Sequence, residues 1–169
     1  MRNGIAFTAG HFQAALASFF LNALLFSHLI EGFDLREAMP KALSNSLDFG
    51  SHSDVILFEP TMPSSPQNPA TLSATKFVWW NSHHRLYGFP LPLACPVCRT
   101  VRPWKEFLSL PSGWTTECSN PGCGLRSDGS REQAAGKMSG TKPDGFAFVT
   151  PTKKRTSGWL SLDISSQFV

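Results

Sequence analysis

The chain has few cysteines, and their distribution excludes a familiar class of protein. Of 169 residues only four are cysteines, and none lies before Cys95 or after Cys123. A secreted disulfide scaffold spreads its cysteines so that they join distant segments, and this chain lacks that pattern. We therefore expect an intracellular protein from a reducing compartment.

A clean membrane-spanning run is also missing. The one candidate, residues 12–30, is interrupted by Gln13, Asn22, Ser27 and His28. A transmembrane helix needs about 20 predominantly apolar residues, and a signal peptide needs a positively charged start and a cleavage site of small residues. The sequence predicts a buried helix here and argues against a membrane segment.

No complete catalytic motif is present. The chain lacks a Gly-rich phosphate loop with Lys, a G-x-S-x-G elbow and an H-E-x-x-H zinc motif. His52, Asp54 and a neighbouring serine can be combined into a triad, but Asp54 lies at the start of a predicted strand, where an Asp caps or turns the chain. We therefore predict that the protein is not an enzyme.

Apolar residues are plentiful enough for a core, at 41% with 12% aromatics. In residues 1–60, short apolar runs predict strands at 4–9 and 54–58. Between them the pattern predicts helices at 11–30 and 35–43, and the first is apolar nearly all round. This order of elements indicates a piece of an α/β layer.

The four cysteines form two close pairs. Two residues separate Cys95 from Cys98, four separate Cys118 from Cys123, and nineteen lie between the pairs. Tetrahedral zinc needs four sulfurs about 2.3 Å from the ion, and two tight turns can each present two thiolates. We predict one structural Zn²⁺ on these residues. Four thiolates leave no position for a catalytic water.

The segment between the pairs predicts a β-hairpin. Residues 104–110 and 114–117 read as strands, joined by a Pro-Ser-Gly turn at 111–113. Pro96 in the first pair and Pro121 in the second favour the reversals that the cysteines need. The hairpin therefore brings the two pairs together.

Two alternatives for the cysteines remain open at this point. A C-x2-C pair can be a redox dithiol, which normally lies at the start of a helix after a strand. Pro90, Pro92, Pro96 and Pro103 surround the motif and disfavour a following helix. Disulfides or free thiols are the second alternative.

The C-P-V-C motif, the predicted hairpin and the second cysteine pair followed by Gly124 resemble the zinc-ribbon (rubredoxin-knuckle) superfamily over residues 93–126. Ribbons of this superfamily serve transcription, replication, RNA processing and protein assembly. The resemblance implies a fold and a structural zinc, but it does not single out one function. The second pair departs from the commonest pattern, because four residues separate its cysteines.

The predicted fold class is α+β, with an N-terminal helical α/β piece joined by a Pro/Ser linker to a small β-rich zinc ribbon. We place the α/β piece at 1–60 and the linker at 61–76, since its first fifteen residues contain three prolines and no charge. The ribbon, with an aromatic and basic lead-in, covers 77–127. A loosely ordered basic tail follows at 128–169.

Basic and aromatic side chains lie close to the cysteines in sequence. Arg99, Arg102, Lys105 and Arg126 suit phosphate or partner contact, and Trp104 offers a stacking surface. The alternative is charge balance, because a tetrathiolate zinc centre carries a net charge of about −2. The alternative for Trp104 is a core position, because tryptophans in a small ribbon are more often core residues than stacking platforms. The sequence does not decide between nucleic acid and protein as the partner.

Two further clusters of histidine or basic residues lie outside the cysteine motif. His83 and His84 are adjacent, so on a strand they point to opposite faces and are not predicted to share one ion. Lys153, Lys154 and Arg155 are a short basic run whose functional reading is nuclear import or phosphate binding. For both clusters the alternative is a solvated surface without a specific role. The basic run makes the nucleus a candidate location.

The segments A-F-T-A-G at 6–10, G-F-D-L-R-E-A at 32–38 and H-S-D-V-I-L-F at 52–58 resemble the last strand-helix-strand part of caspase-like cysteine peptidases. The resemblance covers residues 4–58. In that family the catalytic His and Cys lie earlier in the chain, and here no cysteine precedes Cys95. It therefore implies a truncated or inactive derivative. Our main prediction is a non-catalytic zinc-binding module in nucleic-acid or protein recognition, with this derivative as the alternative.

Overall fold

The structure is a computed structural model that describes residues 3–62, 70–130, 132, 135–149 and 156–168. The chain divides into two compact units, one formed by Met1–Trp79 with Asp144–Val169 and the other by Trp80–Pro143. Helices and largely antiparallel sheets make the fold mixed α+β, which confirms the predicted class. The chain leaves the first unit after Trp79 and returns to it at Asp144.

Ten strands lie within the described residues. In chain order they are β1 (Gly4–Phe7), β2 (Val55–Thr61), β3 (Thr71–Asn81), β4 (Arg85–Leu86), β5 (Phe89–Pro90), β6 (Leu108–Ser109), β7 (Gly113–Glu117), β8 (Lys137–Thr141), β9 (Ala147–Phe148) and β10 (Ser157–Asp163). The sheet of the first unit has the order β1-β2-β3-β10-β9. The predicted strands at 4–9 and 54–58 correspond to β1 and β2.

Strands β2 and β3 include most of the described residues of the predicted linker. They pair antiparallel from Val55 opposite Phe77 to Thr61 opposite Thr71. Residues 71–76, predicted as linker, are therefore the first half of a strand, and residues 63–69 lie outside the described residues. The physical reason is backbone pairing with β2, and Ala74 is buried in the sheet.

Strand β10 corrects the predicted tail. Residues 128–169 were expected to be loosely ordered, yet β10 lies between β3 and β9 in the sheet and fully buries Trp159 and Leu160. Trp159 packs near Phe49, and β10 lies beside β3, both distant in sequence, so the seven-residue run alone does not indicate a central strand. The basic run 153–155 lies outside the described residues.

The first unit contains three α-helices, α1 (Ala14–Leu25), α2 (Leu35–Ser44) and α3 (Leu47–Gly50). A π-helical turn, Phe26–Ile30, continues α1 directly. The helices predicted at 11–30 and 35–43 are thus present with small shifts at their ends. In the described part of the chain, no helix is long and apolar enough to cross a lipid bilayer.

Side chains from all three helices form one core with the sheet. Phe20 of α1 stacks on Phe49 of α3 with ring centroids 5.5 Å apart, and Phe49 also packs near Trp159 of β10. Met39 of α2 and Leu57 of β2 are fully buried in the same cluster. The core therefore joins segments from both ends of the chain.

The second unit contains a short pairing of β4 with β5 and a three-stranded sheet of order β6-β7-β8. Leu108 lies opposite Thr115 and Ser109 opposite Trp114, which confirms the predicted hairpin. Strand β8 pairs antiparallel with β7 along its whole length and was not predicted. This sheet carries the second cysteine pair at the end of β7.

Candidate metal centre

The first cysteine pair lies in a tight turn closed by backbone hydrogen bonds. The N–H of Cys95 donates to the carbonyl of Thr100, and the N–H of Arg99 donates to the carbonyl of Cys95, both at 2.9 Å. Arg99 has a φ of 60°, in the left-handed region, which reverses the chain just after Cys98. The turn that Pro96 predicted is therefore present.

The second pair begins where β7 ends. Cys118 forms an isolated antiparallel bridge with Trp104. The carbonyl of Asn120 accepts the N–H of Cys123 at 3.0 Å, and its side-chain Oδ1 accepts the N–H of Gly122 at 3.0 Å. Asn120 thus holds the longer loop of this pair in a compact turn.

The two turns gather all four sulfurs. Each Sγ lies within 4.8 Å of the others, with 3.7 Å between Cys95 and Cys123 and 3.6 Å between Cys98 and Cys118. Bonds of about 2.3 Å to a tetrahedral ion place sulfurs about 3.8 Å apart, whereas a disulfide needs about 2.05 Å. The four cysteines are free thiols in an arrangement that can hold one metal ion.

Hydrogen bonds and burial move the thiol pKa values in opposite directions. Thr100 Oγ1 lies 3.3 Å from Cys98 Sγ, and this hydroxyl, together with the Thr100 N–H, stabilises the thiolate and lowers the pKa of Cys98 to about 6. Burial raises the pKa of Cys123 to about 12 and also raises that of Cys118. A bound divalent cation opposes the effect of burial, because it stabilises the thiolates directly.

One side-chain hydrogen bond joins the two turns. Asn120 Nδ2 donates to Thr100 Oγ1 at 2.9 Å. The hydroxyl of Thr100 thereby receives one hydrogen bond from the second turn and remains able to donate its own proton to Cys98. Contacts of this kind commonly orient metal ligands, so Thr100 and Asn120 would hold Cys98 in place for a bound ion.

Gly136 is a site residue that the sequence analysis missed. It has a φ of 69°, and a Cβ there would lie 2.6 Å from Cys123 Sγ and 2.9 Å from the Cβ of Cys118. Only a glycine fits this space against the cysteines. No local signal reveals it, because the residue lies well beyond the cysteine motif, immediately before β8.

The predicted basic residues fall into two groups. The side chains of Arg99, Arg102 and Arg126 are exposed and form no ion pair among the described residues. Lys105 pairs with Glu117 at 3.4 Å, so its charge is already shared. Three of the four predicted cations are therefore available to a partner.

Trp104 requires a correction. It was predicted as a stacking surface for a partner, but it is only 5% exposed, and its Nε1 donates to the carbonyl of Pro92 at 2.7 Å. A buried indole with a satisfied N–H is a core residue. Trp104 supports the cysteine turns from within the second unit.

The two histidines lie apart from the metal-ligand cluster. The side-chain Oδ1 of Asn81 accepts the backbone N–H groups of His83 and His84, and His83 Nδ1 lies 2.9 Å from Ser82 Oγ. The group of potential ligands found among the described residues contains cysteines alone.

No protein-family model, curated protein or solved structure matches this chain. The resemblance of residues 93–126 to zinc ribbons and that of residues 4–58 to caspase-like peptidases therefore stay predictions. What the structure contributes to function is the cysteine cluster and the surface around it.

Proposed function

We propose that the second unit is a zinc-ribbon module that binds one structural Zn²⁺ and recognises a protein partner. The observation that carries this proposal is the gathering of four free sulfurs within 4.8 Å of one another. Each comes from one of two turns held by backbone hydrogen bonds. That arrangement is typical of closed tetrathiolate sites.

Zinc is favoured over iron because the metal's proposed role is to stabilise the fold, which needs no redox chemistry. A tetrahedral set of four thiolates suits either ion. The second unit has only short strands, and structural zinc contributes roughly 10–16 kcal/mol to the folding of small domains. Zinc does so without redox chemistry, and a shell filled by four cysteines has no position for a substrate or water. The module is accordingly non-catalytic.

The proposed binding surface surrounds the two cysteine turns, and we name it the knuckle surface. It combines exposed apolar side chains with the three unpaired arginines, all within four residues of a cysteine ligand in sequence. Its members are Leu93, Val97, Arg99, Val101, Arg102, Leu125 and Arg126. Exposed apolar residues beside cations suit a protein segment that carries both apolar and acidic side chains.

A nucleic acid is a poorer match to this surface. Residues 80–143 contain eight Lys or Arg and four Asp or Glu, and a tetrathiolate zinc centre offsets about two of the four excess positive charges. Phosphate backbones are bound through many cationic contacts, and bases stack on exposed aromatic rings. Trp104 and Trp114 are buried, so they offer no such platform.

Native mass spectrometry tests the metal. We expect one zinc per chain in the purified protein and none in the Cys118→Ser variant. Visible absorption separates the two metals, because iron in a tetrathiolate site is coloured and Zn²⁺ has no d-d transitions. Metal-free native protein would contradict the proposal, and stoichiometric iron would contradict zinc.

Titration of the ¹⁵N-labelled, zinc-loaded protein tests the partner class. The probes are a synthetic peptide of alternating Glu and Leu and a DNA duplex, each at low and at moderate salt. We expect the peptide to shift amide signals of the knuckle surface, and the double variant Val101→Ser, Leu125→Ser to weaken this binding. Leu108→Ser is the control, since Leu108 is equally exposed in the same unit but lies on β6. Strong duplex binding with a steep salt dependence would favour nucleic acid instead.

A further inference from the structure

Helix α1 and the π-helical turn after it have two apolar faces. One face, with Ala17, Phe20 and Leu24, is buried in the core of the first unit. On the opposite side, Phe19 is 75% exposed and Leu29 is 68% exposed. Amphipathic surface helices carry polar residues on this side, so the second apolar face needs a separate explanation.

The exposed face follows a regular spacing. Ala15, Phe19, Asn22, Phe26 and Leu29 are all exposed, and the steps between them alternate between four and three residues. That spacing is the seam of helices that pair side by side. Leu25 and Ile30 are also exposed and flank the seam. We name these seven residues the helix stripe.

The size of the helix stripe matches the apolar centre of a protein interface. Its five large apolar side chains are each more than half exposed, and together they present on the order of 500 Å². A standard interface buries about 800 Å² on each partner, with a polar rim around its apolar centre. Exposed patches of this size commonly mark interaction sites.

The charge pattern identifies the occupant. No Asp, Glu, Lys or Arg occurs between Phe12 and Ile30. A helix that lies on a membrane surface carries Lys and Arg on its polar face, and an oppositely charged partner needs a charge to recognise. Neither requirement is met here. An identical uncharged stripe is complementary to this one and meets it without like-charge repulsion.

We propose that the helix stripe binds the same stripe of a second copy of this chain, forming a two-fold symmetric dimer. Asn22 is the one polar member and lies midway between Phe19 and Phe26. In a symmetric helix pair the midpoint meets its own counterpart, whether the helices run parallel or antiparallel. The amide of Asn22 both donates and accepts, so it can bond its copy and fix the register.

Sedimentation of the full, metal-loaded chain over about a hundredfold range of concentration tests the dimer. We expect the wild type to dimerise and Phe19→Glu to raise the dimer dissociation constant at least tenfold, with unchanged circular dichroism because Phe19 is not in the core. The control is Leu108→Glu, an exposed leucine of the second unit. A wild type that is monomeric throughout, or a Phe19→Glu variant that dimerises as before, would overturn the proposal.

Disulfide trapping tests the register. In Asn22→Cys, mild oxidation should yield a covalent dimer, because the two introduced thiols meet near the symmetry axis. Ser51→Cys places an exposed thiol outside the helix stripe and should crosslink poorly. Native thiols are held by the metal, and wild type oxidised in parallel accounts for their contribution. Equal crosslinking of the two variants would contradict pairing through the stripe.

Discussion

The backbone carbonyl of Gly136 accepts the N–H of Cys118 at 2.8 Å, which ties the residue before β8 to the cysteine cluster. The glycine also lies against the side chains of Cys118 and Cys123, so nothing larger fits there. The second unit therefore depends on a residue outside the cysteine motif. This contact leads to the first prediction.

Gly136→Ala should weaken metal binding and destabilise the second unit. The new Cβ would lie 2.6 Å from Cys123 Sγ, and alanine disfavours the φ of 69°. Strain of this kind costs about 1–3 kcal/mol, and a displaced ligand adds to it. Zinc competition with a chromophoric chelator and thermal unfolding measure both effects.

Gly129→Ala is the matched control for that variant. Gly129 also has a positive φ, at 81°, but a Cβ there meets nothing within 4 Å. It should therefore show only the backbone penalty of about 1 kcal/mol and normal zinc affinity. Equal zinc affinities for the two alanine variants would show that the space beside Cys123 is not critical.

Removal of the metal should unfold the second unit and leave the first folded. On the proposed function, zinc would supply much of the folding free energy of so small a β unit, since structural zinc contributes roughly 10–16 kcal/mol in zinc-finger peptides. The helices and the Phe20–Phe49 core belong to the first unit. A chelator should therefore shift tryptophan emission to the red as Trp104 and Trp114 become exposed, while helical circular dichroism persists.

Cys118→Ser provides the control for chelation. It should show the shifted emission from the start and no response to the chelator. Unchanged emission of the wild type after complete metal removal would contradict a metal-dependent fold. Loss of the helical signal would contradict the independence of the first unit.

Thr100→Val should make zinc binding more sensitive to acid. Thr100 stabilises the Cys98 thiolate and lowers the pKa of Cys98 to about 6, so without its hydroxyl the pKa rises. Zinc must then displace a proton that the wild-type thiol has already lost near neutral pH. The affinity of the variant should fall at a higher pH than that of the wild type, by up to about tenfold for each unit of pKa.

Competition titrations over a pH series measure this shift. Thr115→Val is the control, because its hydroxyl donates to the carbonyl of Met138 and makes no hydrogen bond to a cysteine. Its affinity curve should superimpose on that of the wild type. If the Thr100→Val curve does so as well, the hydroxyl does not influence the ligand.

Local chemistry made the cysteine cluster predictable from the sequence. Short spacings within each cysteine pair, Pro96 in the first turn and the Pro111 turn of the hairpin all act over a few residues. Such signals determine turns directly. The grouping of four sulfurs therefore followed from the sequence alone.

Long-range contacts set the limit of that prediction. The sequence predicts residues 71–76 as linker and β10 as part of a loose tail, because no local signal shows that residues 71–76 pair with β2 or that β10 lies beside β3, which is far away in sequence. Trp104 is predicted as a stacking surface or a core residue, and the choice depends on its contact with Pro92, twelve residues earlier in the chain. The local sequence indicates polarity and turns. Which elements pack against a short strand depends on the topology of the whole fold.

Arg99→Gly should separate stability from recognition. Arg99 is held at a φ of 60°, where any residue other than glycine has a conformational strain of about 1–2 kcal/mol. Glycine removes this strain but adds chain entropy to the unfolded state, so we expect a small gain in stability, about 1 kcal/mol or less. The variant also loses one charge of the knuckle surface and should bind the acidic peptide probe more weakly.

Arg126→Gly is the control, because Arg126 has no positive φ and its variant should lose both stability and binding. An Arg99→Gly protein that is less stable than the wild type would show that the arginine side chain contributes to the fold. Greater stability together with weaker peptide binding would show that a strained arginine is retained for its contact with a partner.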